Sequence, residues 1–289
     1  MFEDIYGLSC IENQVLAILK ERNQKIALTY SDSAMPVHEI FKIIVRHGVR
    51  QENFSHLRRV HDLLKELGVI GFFMKRTNSI DELIHEISAC GSDEYVLMRV
   101  SVDFTRNVLH ARGLRSDHFV RISLSSDGAF VVINDIPELT VRVGREQLAR
   151  IFKNYYIKIK VLRELTDIDA HRLWEQRKYK PESLNLTRYN PGCSSVGIGE
   201  RIRDLAGINK ILKHRMAEYY GIYTDTSFIR RVLPEIDKLY AVAEYYVLKK
   251  NAAPEKWESI LKYLYESDEK IFSELGERLK GTGYEGQSR

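Results

Sequence analysis

The stretch SDHFVRISLSSDGAFVVINDIPE, residues 116–138, carries two runs of alternating apolar and polar side chains around Asp127-Gly128. A period of two marks a half-buried strand, and Asp-Gly between two such runs is a strong short-range hairpin signal. With Asp127 and Gly128 as a two-residue turn, Val120 falls opposite Asp135 and His118 lies one diagonal step away. A four-residue turn instead sets His118 directly opposite Asp135. In either register the imidazole and the carboxylate share a face with Val120, Ile122, Leu124, Val131 and Ile133, and diagonal neighbours about 7–8 Å apart at the backbone can meet through such side chains. Arg121 and Ser123 point the other way, and the same alternation turns Asn134 away from His118. A polar rim where the ribbon meets solvent is the competing reading of this His and Asp.

The rest of the first half supplies helices. Ser9–Lys20, Pro36–His47 and Glu52–Leu67 have helical patterns, the last through Phe54, Leu57, Val60, Leu64 and Leu67. Ser79–Cys90 is a fourth, opened by a Ser79/Glu82 capping box and ended by Gly91. Strand-like runs lie at Val69–Met74, Tyr95–Val102, His118–Leu124 and Ala129–Asp135. Helices first and a sheet after them predict an α+β order.

After about Arg163 helical periodicity takes over, as in Ile202, Leu205, Ile208, Leu212 and Met216, or Trp257, Ile260, Leu261 and Leu264. Thr187–Ser195 is turn-rich and reads as a loop, and the tail from Gly281 is expected to fray. With 289 residues, 44% of them hydrophobic, the chain can fill two cores. The expected division is 1–163, helices plus antiparallel sheet, and 164–289, mainly helical.

MFEDIYGLSC puts acidic residues where an export signal carries positive charge, and no apolar run approaches the roughly 18 residues of a membrane span. A soluble, cytoplasmic protein with no membrane partner is expected. Three cysteines, odd in number and widely spaced, form neither a disulfide framework nor a CxxC metal pair, which suits a reducing compartment. Lys plus Arg exceed Asp plus Glu by 44 to 40, a net +4, which hints at an acidic partner at most.

One of those cysteines stands at a telling place. In GLSCIENQ, Ser9 and Glu12 make a capping box, so Cys10 falls in the first helical turn. Unpaired backbone N–H groups and the positive end of the helix dipole favour the thiolate there. A small buried hydrophobe is the other reading of Cys10. A nucleophile needs a base and a group that orients the base. Among nine histidines, the hairpin singles out His118 with Asp135.

GLSCIENQ, SIDELIHEI, YVLMRVSVD, SDHFVRI and FVVINDIPE, taken in order, resemble the papain-like cysteine enzymes. The nearer likeness is to the branch of bacteriocin-exporter peptidase domains and of the BtrH-type N-terminal acyltransferase family of butirosin biosynthesis. The resemblance covers about residues 4–163 and implies a papain-like fold with a Cys10, His118, Asp135 triad. Asn134 competes for the third role, since papain uses Asn, and Asp103, closing its own strand, could assist. The family's Gln ahead of the nucleophile is missing, and Asp4 stands at about its place. Because a carboxylate donates no hydrogen bond, an oxyanion hole would combine the Cys10 N–H with Tyr6 or Asn13.

The resemblance implies acyl transfer or condensation through a Cys10 acyl-enzyme in bacterial specialised metabolite biosynthesis. The donor would be a thioester on an acyl carrier protein or coenzyme A, and the acceptor a small molecule. The helical half, which resembles the second domain of the same proteins, could wall an acceptor pocket. A cysteine peptidase or amidase would share every catalytic residue, and an inactive papain-like binding module is the reading from another class. None of these calls for a cofactor or a metal.

Other signals carry less. Cys193 reads as an exposed loop thiol and Cys90 as packed core. VGIGER has no preceding strand and falls short of a phosphate loop. His56 and His61, five apart on a helix, do not share a face for zinc. The basic stretch from Arg46 to Arg59 lacks the aromatic interleaving of a nucleic-acid surface.

Overall fold

The computed structural model describes residues 5–51, 54, 59–110, 118–177, 197–249 and 253–280. The loop Thr187–Ser195 with Cys193, the tail from Gly281, Asp4, His56 and most of the first turns of the helix expected from Glu52 lie outside the described residues. The chain divides into two compact units, Met1–Ile26 with Arg59–Thr166, and Ala27–Arg58 with Asp167–Arg289. The division at Thr166 lies close to the expected residue 163, but Ala27–Arg58 belongs with the C-terminal unit rather than with the sheet.

In the first unit, α1 (Cys10–Glu21), α3 (Val60–Glu66), α4 (Ile80–Ser88), α5 (Val102–Asn107) and α6 (Arg145–Ile151) accompany six strands; α2 belongs to the second unit. The strands are β1 (Ile70–Arg76), β2 (Glu94–Val100), β3 (His118–Leu124), β4 (Phe130–Asn134), β5 (Leu139–Val143) and β6 (Phe152–Val161). They form one antiparallel sheet in the order β1-β6-β2-β3-β4-β5, so the unit is α+β. The sequence reading lacks α5, β5, α6 and β6, and it is β6 that joins β1 to β2.

α1 starts where its cap predicts. Ser9 Oγ accepts from the Glu12 N–H at 3.3 Å, while the Glu12 carboxylate accepts from the Leu8 N–H at 2.6 Å. One first-turn donor and the N–H just ahead of the cap are thereby satisfied. From Glu12 to Leu19 every residue of α1 is buried, the mark of a helix enclosed on all sides rather than laid on a surface.

The β3–β4 hairpin corrects both expected registers. Its loop has three residues, Ser126–Gly128, closed by Ser125 N–H to Ala129 O at 2.8 Å, with Gly128 at φ +82°. Only glycine takes that left-handed φ without strain. The odd count pairs Arg121 with Ile133 and Ile122 with Val132, one residue off the even-loop registers. A one-residue slip exchanges the two faces of a strand. Phe130, Val132 and Asn134 therefore take the buried positions expected for Val131 and Ile133, which are only half-buried.

The second unit is helical: α2 (Val37–Phe41), running into a π-helical turn Lys42–Arg46, then α7 (Asp167–Arg177), α8 (Ile198–Tyr220), α9 (Ser227–Lys249) and α10 (Pro254–Leu279). Its interior holds two cations on α8. Lys213 is fully buried, paired with Asp268 of α10, donating to Met35 O at 3.3 Å and lying 4.6 Å from the Phe272 ring centre. Arg215, also fully buried, donates to Asp32 at 3.3 Å and packs over the Tyr30 ring. Among the described residues no helix is long and apolar enough to cross a membrane.

Candidate active site

Cys10, His118 and Asp135 all belong to the first unit. Cys10 is the first residue of α1 and is half-buried, and its side chain lies near enough to the His118 imidazole to act on its charge. His118 opens β3 and is 4% exposed. Its Nε2 lies 3.0 Å from Asp135 Oδ1 and 2.9 Å from Asn134 Oδ1. Asp135 follows the end of β4, so it reaches the ring from the turn after the strand rather than from a strand face.

Asn134 is the main departure from the sequence expectation, which turned it away from His118. The odd loop brings it to the side of the ribbon that His118 occupies, and it is fully buried there. Its Nδ2 donates to Pro137 O at 2.7 Å, which leaves Oδ1 as the atom facing the ring. Both neighbours of Nε2 are thus acceptors, so Nε2 carries a proton in every state of the ring. With Nε2 occupied, Nδ1 is the nitrogen left for the Cys10 thiol. That assignment gives Nδ1 the task of taking and returning protons.

Burial by itself lowers the pKa of His118. The hydrogen bonds to Asp135 and Cys10 and the negative charge of both partners outweigh it and push the value up to about 10. The imidazolium is therefore the resting form at neutral pH, a positive charge set beside the Cys10 side chain. The raised value also fixes a stability profile. The contribution is complete below the unfolded value of 6.5 and is lost as pH rises towards about 10. Urea unfolding of the protein and of His118→Phe should therefore differ most near pH 6 and converge towards pH 10; a constant difference would show that the proton is not held by this network.

The remaining expected residues fall elsewhere. Asn13 is buried, and its Nδ2 donates to Asp135 Oδ2 at 2.8 Å while its Oδ1 accepts from the Gly7 N–H at 2.8 Å. Oδ1 and one of the two Nδ2 hydrogens are thereby committed, so the oxyanion role expected of Asn13 would fall to the second hydrogen. Gln14 Nε2 donates to Ile133 O at 3.1 Å, tying α1 to β4. Asp103 does not close a strand: β2 stops at Val100, Ser101 caps α5 by accepting from the Phe104 N–H, and Asp103 stands exposed in the first turn of α5. No bond joins it to His118. Tyr6 is half-buried on the segment leading to Ser9.

No family model, curated protein or solved structure matches this chain. Among the described residues no group of three or more His, Cys, Asp or Glu side chains could hold a metal ion. Cys90 offers no second centre: its Sγ lies 3.3 Å from Glu86 O, and burial pushes its pKa up, away from the thiolate.

Proposed function

We propose that the protein is a cysteine acyltransferase of papain-like type, with Cys10 as nucleophile, His118 as proton carrier and Asp135 with Asn134 as the groups that orient the ring. The observation that carries this reading is the His118 imidazole, bonded to Asp135 and Asn134 and set beside the Cys10 side chain. The Cys10 thiolate attacks the carbonyl carbon of a thioester, and the tetrahedral intermediate collapses with loss of the donor thiolate. The leaving sulfur takes the proton of His118 Nδ1 and departs as a thiol. An amine acceptor then attacks the Cys10 acyl-thioester, gives its proton to Nδ1, and releases the acylated product and the Cys10 thiolate.

A thioester suits the site better than an amide. The Cys10 backbone N–H, free of an intrahelical acceptor in the first turn, is one oxyanion donor, and Asn13 has already given one of its two Nδ2 hydrogens to Asp135. A missing donor costs about 3–4 kcal/mol of transition-state stabilisation, which an activated acyl group tolerates more readily than a peptide bond. A carrier-protein or coenzyme A thioester in a bacterial specialised pathway is the donor class that this reading takes.

The test is intact-mass analysis after incubation with acyl-coenzyme A and acyl-N-acetylcysteamine thioesters. A stable adduct of one acyl group on Cys10, discharged by added amine, supports transfer. Cleavage of peptide substrates without such an adduct points to a peptidase instead, and inertness to thioesters, peptides and iodoacetamide alike points to a binding module.

A further inference from the structure

We propose that Asn13 is the positioning residue of this site: one amide fixes the Asp135 carboxylate against His118 and ties the backbone that enters the Cys10 helix to the same carboxylate. Asp135 Oδ1 is held by His118 Nε2 at 3.0 Å and Oδ2 by Asn13 Nδ2 at 2.8 Å. The carboxylate cannot turn without breaking both bonds. The orientation of the Asn13 amide is fixed independently, because the Gly7 N–H can only donate and therefore demands Oδ1. Nδ2 is then the end that meets Asp135.

Asn13 is 5% and Asp135 4% exposed, so these bonds form where water does not compete. Asn13 lies three residues after Cys10 and shares its side of α1. The nucleophile and the residue that holds the acid thus ride on one rigid helix. Gly7 completes the device: a Cβ there would sit 2.1 Å from Asn13 Oδ1. A bare need to satisfy the Gly7 N–H could be met by a hydroxyl or a carboxylate. Only a side chain that accepts at one end and donates at the other also serves Asp135.

This role rests on the reading of Cys10 as nucleophile only for its effect on rate; its effect on His118 stands apart. The experiment is an NMR titration of the His118 ring in the full chain, with Asn13→Ala, Asn13→Ser and Gly7→Ala beside the parent protein. Iodoacetamide alkylation of Cys10 at pH 7 is followed in parallel. Loss of the Asn13 bond frees the carboxylate, so each variant should bring the His118 pKa down by about one pH unit or more and slow alkylation about tenfold. Gly7→Ala gives the same signature although Gly7 touches neither His118 nor Asp135. A His118 titration unchanged from the parent, with only a lower unfolding midpoint, overturns the proposal, as does loss of the fold in all three variants. Failure of Cys10 to accept any acyl thioester would leave the His118 result intact and would count against the transfer reading alone.

Discussion

Timed iodoacetamide treatment near neutral pH is expected to label Cys10 well ahead of Cys90, with Cys193 followed on its own peptide, and His118→Ala to slow acylation of Cys10 by about 10²–10⁴-fold. The first outcome follows from the contrast between two thiols. Cys10 lies beside the imidazole of His118, whereas Cys90 lies against Glu86 O with its ionisation disfavoured by burial. The second follows from Nδ1 being the only ring nitrogen open to the thiol. Asp135→Ala should cost less than His118→Ala, because Asn134 still accepts from Nε2 at 2.9 Å and keeps the ring oriented. Mass spectrometry of tryptic peptides after timed alkylation separates Cys10 from Cys90. Equal labelling of the two, or full acylation in His118→Ala, would remove the basis for an activated nucleophile.

Lys213→Met is expected to destabilise the helical unit by about 3–5 kcal/mol, the usual loss when one partner of a buried ion pair is removed. Asp268 would be left buried with the Val37 N–H, at 2.8 Å, as a remaining partner. The double variant Lys213→Met/Asp268→Leu should recover most of that loss, since well-packed apolar side chains replace a buried pair with little penalty. Urea unfolding followed by circular dichroism gives the cycle directly, and the coupling should amount to more than about 1 kcal/mol. A near-neutral single variant, or a double variant worse than the sum of its parts, would show that Lys213 is not held by Asp268.

Much of the local structure was legible. Ser9 and Glu12 announce the start of α1 at Cys10, Ser79 and Glu82 announce α4, and Asp127-Gly128 announces the hairpin. What failed was counting. A two-residue turn and a three-residue loop share the same Asp-Gly signal with glycine at positive φ; what distinguishes them is Asp127, which a type I′ turn would also hold at positive φ and which here is not. That single residue decides whether Asn134 or its neighbours face His118. The alternation in YIKIKV, Tyr156 to Val161, was present as a signal for β6 and lay unused beside the helical pattern of REQLARI. Asn13, three residues beyond Cys10, could have been placed beside the nucleophile by helical spacing, but its partner could not, since nothing local links it to Asp135.

The membership of Ala27–Arg58 in the second unit was not legible for a deeper reason. Thr29, Ser31, Asp32 and Ser33 look like a polar turn, yet they are buried, and Asp32 meets Arg215 far along the chain. Local composition says whether a segment is polar. It does not say which distant cation will make burial tolerable.

That interleaving bears on how the protein is made. The N-terminal helix leaves the ribosome long before the strands that must enclose it. The segment that follows belongs to a body whose other helices are translated last. Each half therefore waits for sequence beyond the other, and a nascent chain halted near residue 166 would carry Ala27–Arg58 without its partners. The first body, with Cys10, His118 and Asp135, is complete in sequence at that length, so the sheet can close around the N-terminal helix while Ala27–Arg58 still waits for its own core.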